Sequence, residues 1–171
     1  TSDIAAGSDG LLFLPYLTGE RTPHPDALAR GAFVGLTSRH TRAHMTRAVL
    51  EGVAFGLKDT FTLIDRVGLP DHYEVRISGG GAKSPIWQKI IANIFGAPLL
   101  NVNTPEAGAF GAALLAAVAN GTFDDVAAAC DATIQTGERV DPDDNVAAYA
   151  DVYEKYQDLY PALKDIFHRL A

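Results

Sequence analysis

Apolar residues along the chain fall into two rhythms. The first is strand-like. Leu11–Leu17 (LLFLPYL) is apolar and interrupted by Pro15, a polar loop GERTPHPDALAR follows, and Gly31–Thr37 alternates well enough for a second short strand. From Thr41 to Val67 the period changes to three or four. Met45, Val49, Val53, Leu57, Phe61 and Ile64 share one face of a long predicted helix, stopped by Gly68 and Pro70. Tyr73–Ser78 then predicts a strand and Pro85–Phe95 a helix, its proline in the first turn where no backbone N–H is needed. Leu99–Val102 predicts a short strand, Pro105 and Glu106 open the helix GAFGAALLAAVANG, and Asp124–Cys130 is another helical piece. A last amphipathic helix runs from about Asn145 to Leu170. Strands alternating with helices predict an α/β protein with a mostly parallel sheet flanked by helices.

One interruption asks for a reason. RISGGGAKSPIWQKI, residues 76–90, sets Gly79, Gly80 and Gly81 between a strand and a helix. Glycine in an element interior costs about 0.5–1 kcal/mol against alanine. A glycine-rich turn before a helix lets a ligand approach free backbone N–H groups, and ligands of parallel sheets gather where strands end. Of two known phosphate patterns, one fails here and the other fits only in part. A Walker loop ending in Lys83-Ser84 needs glycines where the chain has Ile77 and Ala82. A dinucleotide fingerprint on Gly79 and Gly81 meets Ser84 at its third glycine. Spacing alone leaves tight helix–strand packing open. In TPEAGAFGAALLAA, residues 104–117, Gly108 and Gly111 among alanines fit a helix pressed against a neighbour.

Composition narrows the class. The 171 residues, 47 % hydrophobic and 20 % charged, suit one globular core. A net charge of −7 without a dense Lys/Arg cluster argues against a nucleic-acid footprint. No apolar run approaches the ~20 residues of a membrane span, the N-terminus lacks a signal-peptide pattern, and Cys130 has no cysteine to pair with. The expectation is a cytoplasmic protein with no nucleic-acid or membrane partner, in which the Asn120-Gly121-Thr122 sequon is chance. His40 and His44 have metal-compatible spacing but no third ligand, and read as surface histidines. Asp141, Asp143 and Asn145 begin like a calcium loop, yet Val146 and Val152 replace its glycine and glutamate, so helix capping is expected. Glu51 reads as a solvated or paired helix charge, Cys130 as a small buried apolar residue, and Glu20, Arg21 and His24 as a charged loop cluster.

Four blocks in this order, GERTPHPDALARGAFVGLT, RAVLEGVAFGLKD, SGGGAKSPIWQKIIANIFGAPL and EAGAFGAALLAA, resemble the FGGY carbohydrate kinases, most of all the xylulokinase branch. The resemblance implies an RNase H-like domain of the actin/hexokinase/Hsp70 type, with ATP and sugar in a cleft between two domains. Residues 1–171 would be the C-terminal portion of the nucleotide-binding domain, a piece of a longer chain, without the N-terminal sugar-binding domain. The GGGA turn would line the adenosine pocket, with Gly80, Gly81 and Ala82 against the nucleotide and Ser84 and Gln88 as polar neighbours. A side chain at Gly81 would then occupy space the nucleotide needs. The implied cofactors are ATP and Mg²⁺, and the implied reaction phosphorylates a ketopentose, D-xylulose, to xylulose 5-phosphate.

The family's catalytic base is an aspartate in a Gly-Asp segment ahead of the LLFLPYL block. Asp3 and Asp9 do not match that pattern, so no catalytic residue and no metal ligand is assigned in this chain. The 171 residues alone are expected to be inactive, with at most weak adenine-nucleotide binding. Uncovered strand edges and apolar faces predict a homo-oligomer. Two other readings stay open: a non-catalytic nucleotide-sensing or regulatory module of the same fold, and a scaffold in which the glycines only pack.

Overall fold

Pro15 has no N–H to give a ladder, and it ends the first strand. In the computed structural model, which describes residues 3–66, 68, 74–103 and 107–171, β1 (Leu12–Pro15) pairs antiparallel with β2 (Gly31–Val34). Leu12 stands opposite Val34 and Pro15 opposite Gly31. The long helix is α1 (Arg42–Arg66), and it lies against β1. Gly52 sets how closely, since a Cβ there would run into the Phe13 carbonyl.

The buried face of α1 is not the predicted stripe. Met45 and Leu57 are exposed, whereas Arg47, Ala48, Glu51, Ala54, Phe55 and Asp59 are buried. Polar residues enter the core because each finds partners there. Asp59 Oδ1 accepts the Tyr153 hydroxyl at 2.6 Å, and Glu51 is satisfied on both oxygens. The helix starts beneath two histidines. His40 Nδ1 accepts the Thr37 N–H at 2.9 Å in the turn before the helix, and His44 Nδ1 accepts the Thr41 N–H at 3.1 Å at its start, so both surface histidines also hold local backbone.

A second sheet is built from β3 (Val75–Ile77), β4 (Leu99–Val102) and β5 (Thr136–Val140), in the order β3-β4-β5. β3 and β4 run parallel, joined through α2 (Pro85–Phe95), while β4 and β5 run antiparallel. Among the described residues the sheets are therefore small and mixed, and the parallel arrangement expected from sequence is seen between β3 and β4 only. Gly96, at φ +67°, ends α2 with its N–H bonded to the Ala92 carbonyl at 2.9 Å.

The remaining helices are α3 (Ala107–Ala119), α4 (Val126–Thr133), α5 (Val146–Gln157) and α6 (Leu159–Leu170). Asp125 caps α4 by accepting the Ala128 N–H at 2.8 Å. The single helix predicted over 145–170 divides at Asp158. Pro161, three residues on, cannot donate to the Gln157 carbonyl and crowds it. The starts and stops assigned to Val67, Pro70, Tyr73, Pro105 and Glu106 lie outside the described residues.

Leu14, Tyr16, Phe55, Ile90, Ile94, Leu99, Tyr149 and Tyr156 form the centre of the core. α6 is held to the β1–β2 loop by one carboxylate. Asp26 Oδ2 accepts the Tyr160 hydroxyl and pairs with His168 Nε2, each at 2.8 Å, and the bond to His168 brings the carboxyl down to about 2. No helix among the described residues is long and apolar enough to cross a membrane. No cluster of three or more metal-ligating side chains occurs among them.

Candidate functional site

Ile77 pairs with Asn101 in the parallel ladder, so the chain leaves β3 and β4 at the same edge of the sheet. The glycine turn emerges there. Each of its glycines has a separate reason. Gly79 stands at φ +84°, in the left-handed region that side chains avoid. Gly80 has an ordinary helical backbone, φ −61° and ψ −39°, and no neighbour lies within 4 Å of where its Cβ would be. Gly81 begins a one-turn 3-10 helix, and a Cβ there would fall inside the ring of Trp87. That indole is held in turn by Nε1–H donating to the Leu50 carbonyl at 3.4 Å.

A side chain at Gly81 would thus meet Trp87 first. The open direction in the turn is at Gly80. Gln88 also has a different place. It is only 6 % exposed, and its Nε2 donates to the Ala82 carbonyl and to Asn101 Oδ1, the latter at 3.2 Å. Its amide braces the turn against β4. Ser84 is the N-cap of α2 by position and accepts the Gln88 N–H on its carbonyl at 3.0 Å, but its side chain makes no capping bond. Asn103, at the end of β4, exchanges hydrogen bonds with Gln135, 3.1 and 3.0 Å, which brings the start of β5 to the same edge. Gly108 and Gly111 of α3 have no neighbour within 4 Å of a Cβ among the described residues, so the close packing expected of them is not found.

A second polar cluster lies deeper. Glu51, 1 % exposed, accepts the Gly7 N–H at 3.1 Å, Arg47 Nε at 2.7 Å and the Tyr149 hydroxyl at 2.8 Å on Oε1, and the Ser8 hydroxyl at 2.8 Å on Oε2. Tyr149 in turn accepts from Arg47 at 2.6 Å, and burial pushes its hydroxyl pKa well up. Gly7, Ser8, Asp9 and Gly10 all have positive φ, 83°, 49°, 53° and 87°. A left-handed turn containing two non-glycine residues is costly, and the Glu51 carboxylate holds it. The arrangement is a clamp joining the N-terminal turn, α1 and α5.

Arg47 and Glu51 are four apart on a helix, a signal visible in the sequence; Tyr149 and Trp87 have none. The Glu20 cluster is likewise local. Glu20 Oε1 accepts the Arg21 and Thr22 N–H groups at 2.6 and 3.0 Å, while His24 stacks on Tyr160 with centroids 3.9 Å apart.

The model of the FGGY family of carbohydrate kinases, C-terminal domain, matches residues 1–120. A xylulose kinase of Staphylococcus epidermidis is 39 % identical over 157 residues, 92 % of this chain and 31 % of the relative. A gluconokinase of Bacillus subtilis is 32 % identical over 168 residues, 98 % of this chain and 33 % of the relative. The crystal structure of a ligand-bound xylulose kinase from Lactobacillus acidophilus superposes with a TM-score of 0.85 at 33 % identity, over 99 % of this chain and 34 % of that one. The chain spans about a third of the length of the curated relatives it matches.

Proposed function

The chain belongs to the FGGY family of carbohydrate kinases, and from that premise we propose that the intact protein transfers the γ-phosphoryl group of ATP to a sugar hydroxyl. D-Xylulose is the substrate we favour, because a xylulose kinase is its relative at 39 % identity. Gluconate is the second reading, favoured by the gluconokinase at 32 %. Residues 1–171 would supply the C-terminal portion of the nucleotide-binding domain. The sugar pocket and the base would come from elsewhere in the intact protein.

One observation supports the nucleotide role most. The turn offers an open backbone at Gly80, at the edge where two parallel strands end and beside the start of α2. Gly80, Gly81 and Ala82 would form the adenosine wall and Ser84 its polar rim, while Gln88 keeps the wall in shape. ATP supplies the phosphoryl group. No carboxylate occurs between residues 76 and 90, so Mg²⁺ would ride on the phosphates rather than on this turn.

Coupled ADP release by the intact protein, against D-xylulose, gluconate and glycerol, tests the proposal. The expected outcome is turnover with the highest kcat/KM for D-xylulose. Highest turnover with gluconate would move the assignment to the second reading. A protein silent with every sugar that still binds ATP would be a nucleotide-sensing module. The 171 residues alone should show no turnover, because phosphoryl transfer depends on groups held in line from both sides. We also propose that the 171 residues alone self-associate through the edge of β3, which pairs with no further strand among the described residues. Light scattering of these 171 residues should then give more than one protomer, and a monomer at high concentration would refute it.

A further inference from the structure

Between the C-terminal half of α1, the β1–β2 loop and the α5–α6 junction lies a cavity of about 160 Å³. It shares no lining residue with the glycine turn. Four aromatic rings line it, Tyr16, Tyr156, Tyr160 and His24, together with Asp59 and Arg66. Tyr16 meets both His24 and Tyr160 edge-on, which fixes the rings relative to each other.

Two groups in the cavity are unfinished. Asp59 is 7 % exposed and uses Oδ1 for Tyr153 and Gln157, at 2.6 and 3.4 Å. Among the described residues its second oxygen accepts no hydrogen bond and pairs with no cation. Burial raises its pKa, as expected of a carboxyl group short of partners. Tyr156, 1 % exposed, has the Tyr16 hydroxyl beside its own but no well-aligned hydrogen bond among the described residues. Buried polar groups are nearly always satisfied, by protein, water or ligand.

The charges decide what fits. One carboxylate and one guanidinium line the cavity, and burial lowers the pKa of His24, leaving that ring neutral at pH 7. A cation would face Arg66 and an anion would face Asp59. A neutral molecule carrying groups that both donate and accept answers both. Flat tyrosine faces suit its C–H surface, and hydroxyl groups suit Asp59, Gln157 and Tyr156. In volume the cavity is close to one of about 150 Å³ that accommodates benzene, with its six carbon atoms. Glycerol has the same number of non-hydrogen atoms. We propose that this cavity is a binding site for a small neutral polyol of three or four carbons.

Saturation-transfer NMR on the intact protein, with glycerol and erythritol as probes, tests it. Glycine and ammonium chloride serve as the charged comparisons. The expected result is a saturable glycerol signal in the millimolar range. Tyr156→Phe and Asp59→Asn should each weaken it about tenfold, the loss of one good hydrogen bond to the ligand. Gln157→Ala, at an exposed position, repeats the test where folding is not at issue. A glycerol signal unchanged in all three variants places the polyol elsewhere and overturns the proposal. So does saturable binding of glycine or ammonium without glycerol, or the absence of any saturable signal.

Discussion

Glu51→Ala is expected to lower the melting temperature by about 6–20 °C. Removing one partner of a buried charge pair costs roughly 3–5 kcal/mol, because the other charge stays buried and unpaired. For a chain of this size each kcal/mol shifts Tm by about 2–4 °C. Here the stranded group is Arg47, and three further donors lose their acceptor: the Gly7 N–H, the Ser8 hydroxyl and the Tyr149 hydroxyl. The left-handed turn at residues 7–10 loses the carboxylate that holds it. Thermal unfolding followed by circular dichroism reads the effect. Adding Arg47→Met to Glu51→Ala should recover part of the loss, since it removes the unpaired cation. A shift below about 3 °C for the single variant would mean that water satisfies Arg47 and that the clamp is not structural.

Gly81→Val should damage stability and nucleotide affinity together. Its Cβ enters the volume of the Trp87 ring, and overpacking of this kind costs about 1–3 kcal/mol or more. These 171 residues hold a single tryptophan, so their own fluorescence reports the site directly. The expected signature is a red-shifted emission, a lower Tm and weaker ADP binding in one variant. Trp87→Leu should make Gly81→Val better tolerated, and the interaction energy of that double-mutant cycle measures the contact. Additive effects of the two changes would show that Trp87 is not what excludes a side chain at Gly81.

How far the sequence can be read differs from element to element. α2 and β4 are legible to the residue, because Pro85 and Gly96 punctuate the helix and Leu99 follows directly. The length of α1 is legible and its buried face is not. Counting apolar positions assumes that buried means apolar, and this helix buries Glu51 and Asp59 against tyrosines 98 and 94 residues away. Nothing local announces such partners. β5, TGERV, carries a charged pair and is largely exposed, so no alternation marks it as a strand. Pro161 does mark the break between α5 and α6, but the amphipathic pattern continues on both sides and hides it.

At the site, the place of the glycine turn can be read but the division of labour within it cannot. Three adjacent glycines look alike in a sequence. The backbone separates them into one left-handed position, one open position and one pressed on an indole. Gln88 looks like a ligand contact because it is polar beside a turn. Its bonds to Ala82 and Asn101 become visible only once β4 lies beneath it.

That separation allows the central claim to be tested without disturbing the fold. Gly80 has a backbone that any residue adopts, and the space beyond it is open. The measurement is calorimetric titration of ADP into the intact protein and its Gly80→Leu variant, with Tm recorded for both. If the turn is the adenosine wall, Kd for ADP rises about tenfold or more, about 1.4 kcal/mol, while Tm stays unchanged. An unchanged Kd in a variant that remains folded would contradict the account and leave only the left-handed backbone of Gly79 and the packing of Gly81 on Trp87 as reasons for the turn.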